Sequence, residues 1–120
     1  MTESKEERFD AVYARLRSIL EPYAAKMYVS GDSDTGYSLD TAPEGERMPA
    51  TWFGAVRRGK SYVSYYLMSI YGEPGLLDDV SPELKKRMQG KSCFNFTRVD
   101  EELFSELASL TARGYERTKH

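Results

Sequence analysis

Gly54-Ala55-Val56-Arg57-Arg58-Gly59-Lys60-Ser61 satisfies, letter for letter, the G-x-x-x-x-G-K-[ST] pattern of phosphate-binding loops. That chemistry needs a strand before the loop and a helix after it, because the amides at the helix N-terminus hold the phosphates. The residues that follow here, Tyr62-Val63-Ser64-Tyr65-Tyr66, have the aromatic and β-branched composition of a strand, and Gly54 sits inside the strand that precedes. The segment therefore reads as a β-hairpin with a basic turn. Gly-Lys-Ser recurs at Gly90-Lys91-Ser92, again just ahead of a strand. Were the two turns to converge, Arg57, Arg58, Lys60, Lys91 and the run Lys85-Lys86-Arg87 would build an anion site, and an enzyme acting on a small anionic substrate would follow.

Other reactive residue types lead less far. Asp32, Asp34, Gly36 and Asp40 resemble a calcium loop, but the glycine falls one place early and Pro43 stands where the bidentate glutamate belongs. Asp78, Asp79 and Glu83, like Asp100, Glu101 and Glu102, are acids expected at helix starts. Cys93 is the only cysteine and His120 the only histidine, at the very end of the chain, so no internal disulfide is expected and a Cys-His or Ser-His-Asp machine is disfavoured. Cys93 reads as a small packed side chain. No cofactor is expected from these residues.

The elements that must position them follow from pattern. Ser4-Lys5-Glu6-Glu7 has capping-box spacing, and Phe9, Val12, Tyr13, Leu16, Ile19 and Leu20 make one helical stripe that Pro22 must end. Met27–Ser30 and Tyr37–Thr41 read as a hairpin around the turn formers of 31–36, and 42–50 as a polar loop, expected to be the most mobile segment. Thr51–Val56 and Ser61–Ile70 are the strongest strands. Placing Arg58 and Gly59 at the turn centre pairs Arg57 with Lys60. One face then carries Trp52, Gly54, Val56, Val63, Tyr65 and Leu67; the other carries Phe53, Ala55, Arg57, Tyr62, Ser64, Tyr66 and Met68. Ser81-Pro82-Glu83 opens a helix expected to reach Met88 and stop at Gly90, Ser92–Thr97 is a strand with Cys93 and Asn95 opposite Phe94 and Phe96, and Asp100 caps a last helix that Gly114 should end. Helices at the ends and strands between predict an α+β domain, an antiparallel sheet covered on one face by N- and C-terminal helices. A single domain over 1–120 is expected, with 1–5 and 115–120 flexible.

Composition agrees with a folded domain: 120 residues, 40% hydrophobic, 30% charged, net charge −2 from 17 basic and 19 acidic residues. With neither a basic field nor an apolar span, nucleic acid and membrane are not expected partners; a small molecule or a protein is, with the chain a monomer or homodimer in the cytoplasm. Nine tyrosines suit half-exposed surfaces and pocket walls. Since neither face of the central hairpin is plainly polar, one must meet the helices and the other needs a partner, a ligand or loop cover. The candidate binding surface is Tyr62, Ser64, Tyr66, Cys93 and Asn95, rimmed by Arg57, Lys60 and Lys91, in a non-enzymatic binding or accessory domain.

Three segments carry a resemblance: Leu16-Arg17-Ser18-Ile19-Leu20-Glu21-Pro22; the pair Trp52-Phe53-Gly54-Ala55-Val56 and Tyr62-Val63-Ser64-Tyr65-Tyr66; and Gly90-Lys91-Ser92-Cys93-Phe94-Asn95-Phe96 with its acid-capped helix. Together they are similar to the YdhG-like domains, a bacterial family of small α+β proteins mostly of unknown function. The resemblance implies the fold, and, since some members are described as frataxin-like iron chaperones, it also implies iron carried on carboxylates near the first helix. Against that role, Arg8, Arg15 and Arg17 interrupt Glu3, Glu6, Glu7 and Asp10, and in 31–50 only Met48-Pro49-Ala50 matches the family.

Overall fold

In the computed structural model, which describes residues 4–41 and 52–117, the expected α+β architecture is present. Helix α1 (Lys5–Leu20) starts where Ser4 accepts a hydrogen bond from the Glu7 amide and ends at the turn of 3-10 helix Glu21–Lys26, which carries Pro22. Five strands follow, β1 (Met27–Asp32), β2 (Gly36–Thr41), β3 (Trp52–Arg58), β4 (Val63–Leu67) and β5 (Cys93–Phe96), each antiparallel to the next in the order of the chain. Between β4 and β5 lie the short helices α2 (Ser69–Gly72) and α3 (Pro82–Lys85) and a 3-10 turn at Pro74–Leu77. Helix α4 (Glu101–Arg117) closes the described chain.

One sheet face is sealed by α1 and α4. Tyr37 and Leu39 of β2, Val56 of β3, Val63, Tyr65 and Leu67 of β4 and Phe94 and Phe96 of β5 are all buried there against Phe9, Leu16 and Leu20 of α1 and Phe104, Leu107 and Leu110 of α4. Phe96 meets Phe104 edge-on, with ring centroids 5.0 Å apart. A buried hydrogen bond of 2.5 Å joins the Tyr65 hydroxyl to Thr111. Gly54 lets this layer close: a Cβ there would stand 2.9 Å from the Tyr66 carbonyl oxygen and 3.2 Å from Leu20.

The central hairpin departs from its expected register. Val56 faces Tyr65 and Arg57 faces Ser64, with Gly59–Tyr62 as the turn, closed by a Gly59 N–H bond to the Tyr62 carbonyl at 2.9 Å. The slip moves each partner by four residues (Val56 meets Tyr65 where Ser61 was expected), an even number, so side chains keep their faces. Two do not. The pairing of β2 with β3 jumps from Leu39–Gly54 to Asp40–Trp52, leaving Phe53 as the extra residue of a bulge. Phe53 thereby turns into the core beside Tyr23 and Tyr115, and Trp52 goes to the opposite face. Nothing in the local composition announces that bulge.

Other boundaries move for identifiable reasons. β4 stops at Leu67, because the next turn starts α2, and Met68 donates its amide to the Phe53 carbonyl. Helix α3 ends at Lys85 because the chain turns back to pair Met88 with Phe94. Gly114 lies within α4 rather than ending it; it is buried where α4 presses on Ser69, whose Cβ would be 2.9 Å from a Cβ at this position. Lys5 opens α1 and 115–117 are helical; the loop 42–50, with Met48-Pro49-Ala50, and the terminal His120 lie outside the described residues. No helix among the described residues is long and apolar enough to cross a membrane.

Candidate binding site

The phosphate-loop letters fall on a strand, a turn and a second strand: Gly54 to Arg58 belong to β3, and β4 begins at Val63. No helix follows Lys60, so the amide cradle that the motif requires is not formed. The two basic turns also lie apart. Lys60 precedes the Val63 end of β4, whereas Ser92, next to Lys91, accepts a hydrogen bond from the Leu67 amide at the other end. Four residues of extended chain place those ends ~13 Å apart. Arg58 is already engaged by Glu6 at 3.2 Å and Asp10 at 3.0 Å. These carboxylates of α1 thus serve to tie the helix to the hairpin.

Five of the eight candidate residues do come together on the sheet face away from the helices. Arg57 pairs with Ser64 and Ser64 with Asn95; Tyr66 pairs with Cys93. Ser64 donates to Asn95 Oδ1 at 2.7 Å, the Cys93 thiol donates to the same oxygen at 3.4 Å, and the Asn95 amide donates to Gln89 at 2.6 Å. This patch satisfies its own polar groups. Burial raises the Cys93 thiol above its ordinary range, so it stays protonated at neutral pH and is a poor nucleophile. Burial also raises the Tyr66 phenol, with Cys93 adding to the shift and Arg57 opposing it. Tyr62, Lys60 and Lys91 are exposed outside the strands, in the turns.

The more open half of this face lies across β1 to β3, where sequence reasoning did not look. A continuous cross-strand row runs Gly31–Ser38–Ala55–Tyr66. Its first three residues are small, so they form the floor of a trough. One wall is the neighbouring pair Asp40–Trp52, and the other is the pair Gly36–Arg57. Tyr66 closes the β4 end, its ring 5.4 Å from that of Trp52 at an interplanar angle of 39°. The result is a groove of ≈ 630 Å³ lined by Ser30, Ser38, Asp40, Trp52, Arg57 and Tyr66 among others. Ser30 links the polar groups of one side, bonding Ser38 at 2.8 Å and donating to Asp40 Oδ1 at 3.2 Å. Trp52 is 41% exposed and Tyr28 57% exposed, high values for large aromatic side chains.

Only Arg57 and Tyr66 of this groove belong to the expected set. Ser38 and Asp40 were legible as the polar alternates of Tyr37 and Leu39, but linking them to β3 needs the β2–β3 register. Trp52 needed the bulge. Among the described residues, no three His, Cys, Asp or Glu side chains are grouped to hold a metal ion. Fold and site together define a small α+β domain with one sealed and one open sheet face. No family model, curated protein or solved structure matches this chain.

Proposed function

We propose that this protein is a non-enzymatic binding domain that takes a small molecule in the groove across β1, β2 and β3. The observation that carries the reading is the trough itself: small side chains on the floor, an exposed tryptophan on one wall and an arginine on the other. Its volume lies within the range of about 300–1,000 Å³ usual for small-molecule sites, and it combines aromatic surface with a few polar groups. The protonated thiol of Cys93 and the self-satisfied patch on β4 and β5 favour binding over covalent chemistry.

Trp52 is the only tryptophan in the chain, so intrinsic fluorescence reads the groove directly. A library of small polar aromatic fragments, titrated against the full chain, is expected to yield members that saturably change Trp52 emission and compete with one another. A Tyr66→Ala variant that stays folded should weaken those hits. If no fragment perturbs Trp52 at millimolar concentration, the reading is wrong.

A further inference from the structure

The geometry points to a specific class of ligand for this groove: a planar heterocycle bearing an amino group and carrying an anionic tail, as a purine nucleoside monophosphate does. The inference rests on the groove being a binding site and adds what it recognises.

Three features set the requirements. The first is a flat apolar wall. Trp52 lines the groove with much of its ring exposed and lies 5.4 Å from the ring of Tyr66 at the β4 end, so the pair presents aromatic surface on which a flat ring can stack. The second is an acceptor beside that wall. Asp40 is the direct cross-strand partner of Trp52, so its carboxylate sits next to the stacked ring. Ser30 occupies one lone pair of Oδ1 and steadies the group, and an ionised carboxylate has about four such sites. What binds there must donate hydrogen bonds, as an exocyclic amine does. The third is a cation on the far wall. Arg57 pairs with Gly36, four residues from Asp40 along β2, or ~13 Å by backbone. The side chains on the two walls shorten that span to the length of a ring plus a short tail.

Charge decides between ligand classes. Among the described residues Arg57 makes no ion pair, whereas Asp32, the other acid of the groove, is held by Arg17 at 2.7 Å. An incoming anion therefore meets an available guanidinium able to bind it through two parallel hydrogen bonds. A neutral sugar would leave that guanidinium unused. An aromatic acid without an amine would set its electron-rich ring against Asp40 with no donor between them. A zwitterionic amino acid carries its two charges too close together to reach both walls. An amino-heterocycle with an anionic tail satisfies all three features at once.

The test uses three defined probes with the full chain, read by Trp52 fluorescence and checked by calorimetry. Adenosine 5′-monophosphate is expected to bind saturably. Adenosine, lacking the anion, should bind about tenfold more weakly, and purine riboside 5′-monophosphate, which has hydrogen in place of the 6-amino group and no donor on the ring, several-fold more weakly. Arg57→Ala should bring the monophosphate down toward the affinity of adenosine, so that the roughly tenfold gain from the phosphate is lost. Asp40→Asn should erase the preference for adenosine monophosphate over purine riboside monophosphate. Both side chains are on the open face, and circular dichroism verifies that the variants fold. Equal affinity for all three probes, or an Arg57→Ala variant with unchanged monophosphate binding, overturns the inference. If fragments from the general screen change Trp52 emission but none of the three probes does, the ligand class is wrong and the groove stands. If neither does, both readings fall together.

Discussion

Tyr65 and Tyr66 are neighbours in β4, and their rings meet opposite worlds. Tyr65 points under the helices, fully buried, with its hydroxyl bonded to Thr111 of α4. Tyr66 points the other way, half-buried, and lends its ring to the groove beside Trp52. The same contrast runs along β2 and β5, whereas β1 at the sheet edge buries only Met27. The inner face is a dense layer of Val, Leu, Phe and Tyr whose few polar atoms find each other. The outer face mixes serines, Asp40, Arg57 and exposed rings around small residues. Burial of apolar area supplies most of folding stability, so the inner face should govern stability and the outer face should govern recognition. A variant that moves both quantities together would break that division.

The largest separation is expected within one pair of adjacent residues. Phe94 is fully buried between sheet and helices, so Phe94→Ala should cost ~3–5 kcal/mol by lost transfer energy and cavity formation. Cys93, next to it but facing outward, should cost under ~1 kcal/mol as Cys93→Ala, since it gives up only a weak thiol hydrogen bond. Urea unfolding followed by circular dichroism compares the two; similar losses would mean that the outer face is itself a core. Gly54→Ala comes next. The nearest atom to the new methyl is a backbone carbonyl oxygen at 2.9 Å, which cannot swing aside, so a loss of ~1–3 kcal/mol is expected.

Tyr65 permits a finer test. Tyr65→Phe removes one partner of a buried bond and strands the Thr111 hydroxyl, for a loss of ~1–2 kcal/mol. Adding Thr111→Val should restore part of it, because both polar atoms are then gone. The same residue sets the alkaline limit. Burial raises the phenols of Tyr13, Tyr23, Tyr37 and Tyr65 above the ordinary value of 10.0, and Tyr65 most of all. In the unfolded chain these groups ionise near 10.0 while in the folded protein they hold their protons. Stability is therefore intact below that pH and falls as pH rises through it. Urea midpoints compared between about pH 8 and about pH 10.5 should show a shallower fall for Tyr65→Phe than for the parent chain.

How far the sequence discloses this division depends on whether a feature is local. The stripe Phe9-Val12-Tyr13-Leu16 with its Ser4 cap, the alternation of Phe94 and Phe96 with Cys93 and Asn95, and the strand character after Lys60 are all set by neighbours in the chain, and each reappears in the structure. The expected hairpin register was off by an even number, so the faces of Val56, Tyr65, Ser64 and Tyr66 were right even though their partners were wrong. The bulge at Phe53 was not legible, because it answers to β2 across the sheet and to the space between Tyr23 and Tyr115. That one residue moves Trp52 to the outer face. The groove escaped notice for the same reason: its floor takes one small residue from each of three strands, and only pairing aligns Gly31, Ser38 and Ala55. Gly114 looked like a stop because a glycine near a helix end usually is one, whereas here a close approach to Ser69 sets its identity.

The variant that bears hardest on the comparison is at Trp52. A tryptophan packed in a core typically costs ~3–5 kcal/mol when truncated to alanine. Trp52 is 41% exposed and rests on the ring of Tyr66, so Trp52→Ala should cost clearly less than a core tryptophan, ~2 kcal/mol. Its loss should nevertheless abolish binding of any ligand that stacks in the groove, measured by calorimetry because the fluorescent reporter is gone. Trp52→Phe retains a stacking surface and should recover part of that affinity. A protein whose stability survives the truncation and whose binding does not would place the two functions on opposite sides of a single sheet. If instead Trp52→Ala unfolds as readily as Phe94→Ala, the outer aromatics hold the fold together, and the groove is a gap in a second core.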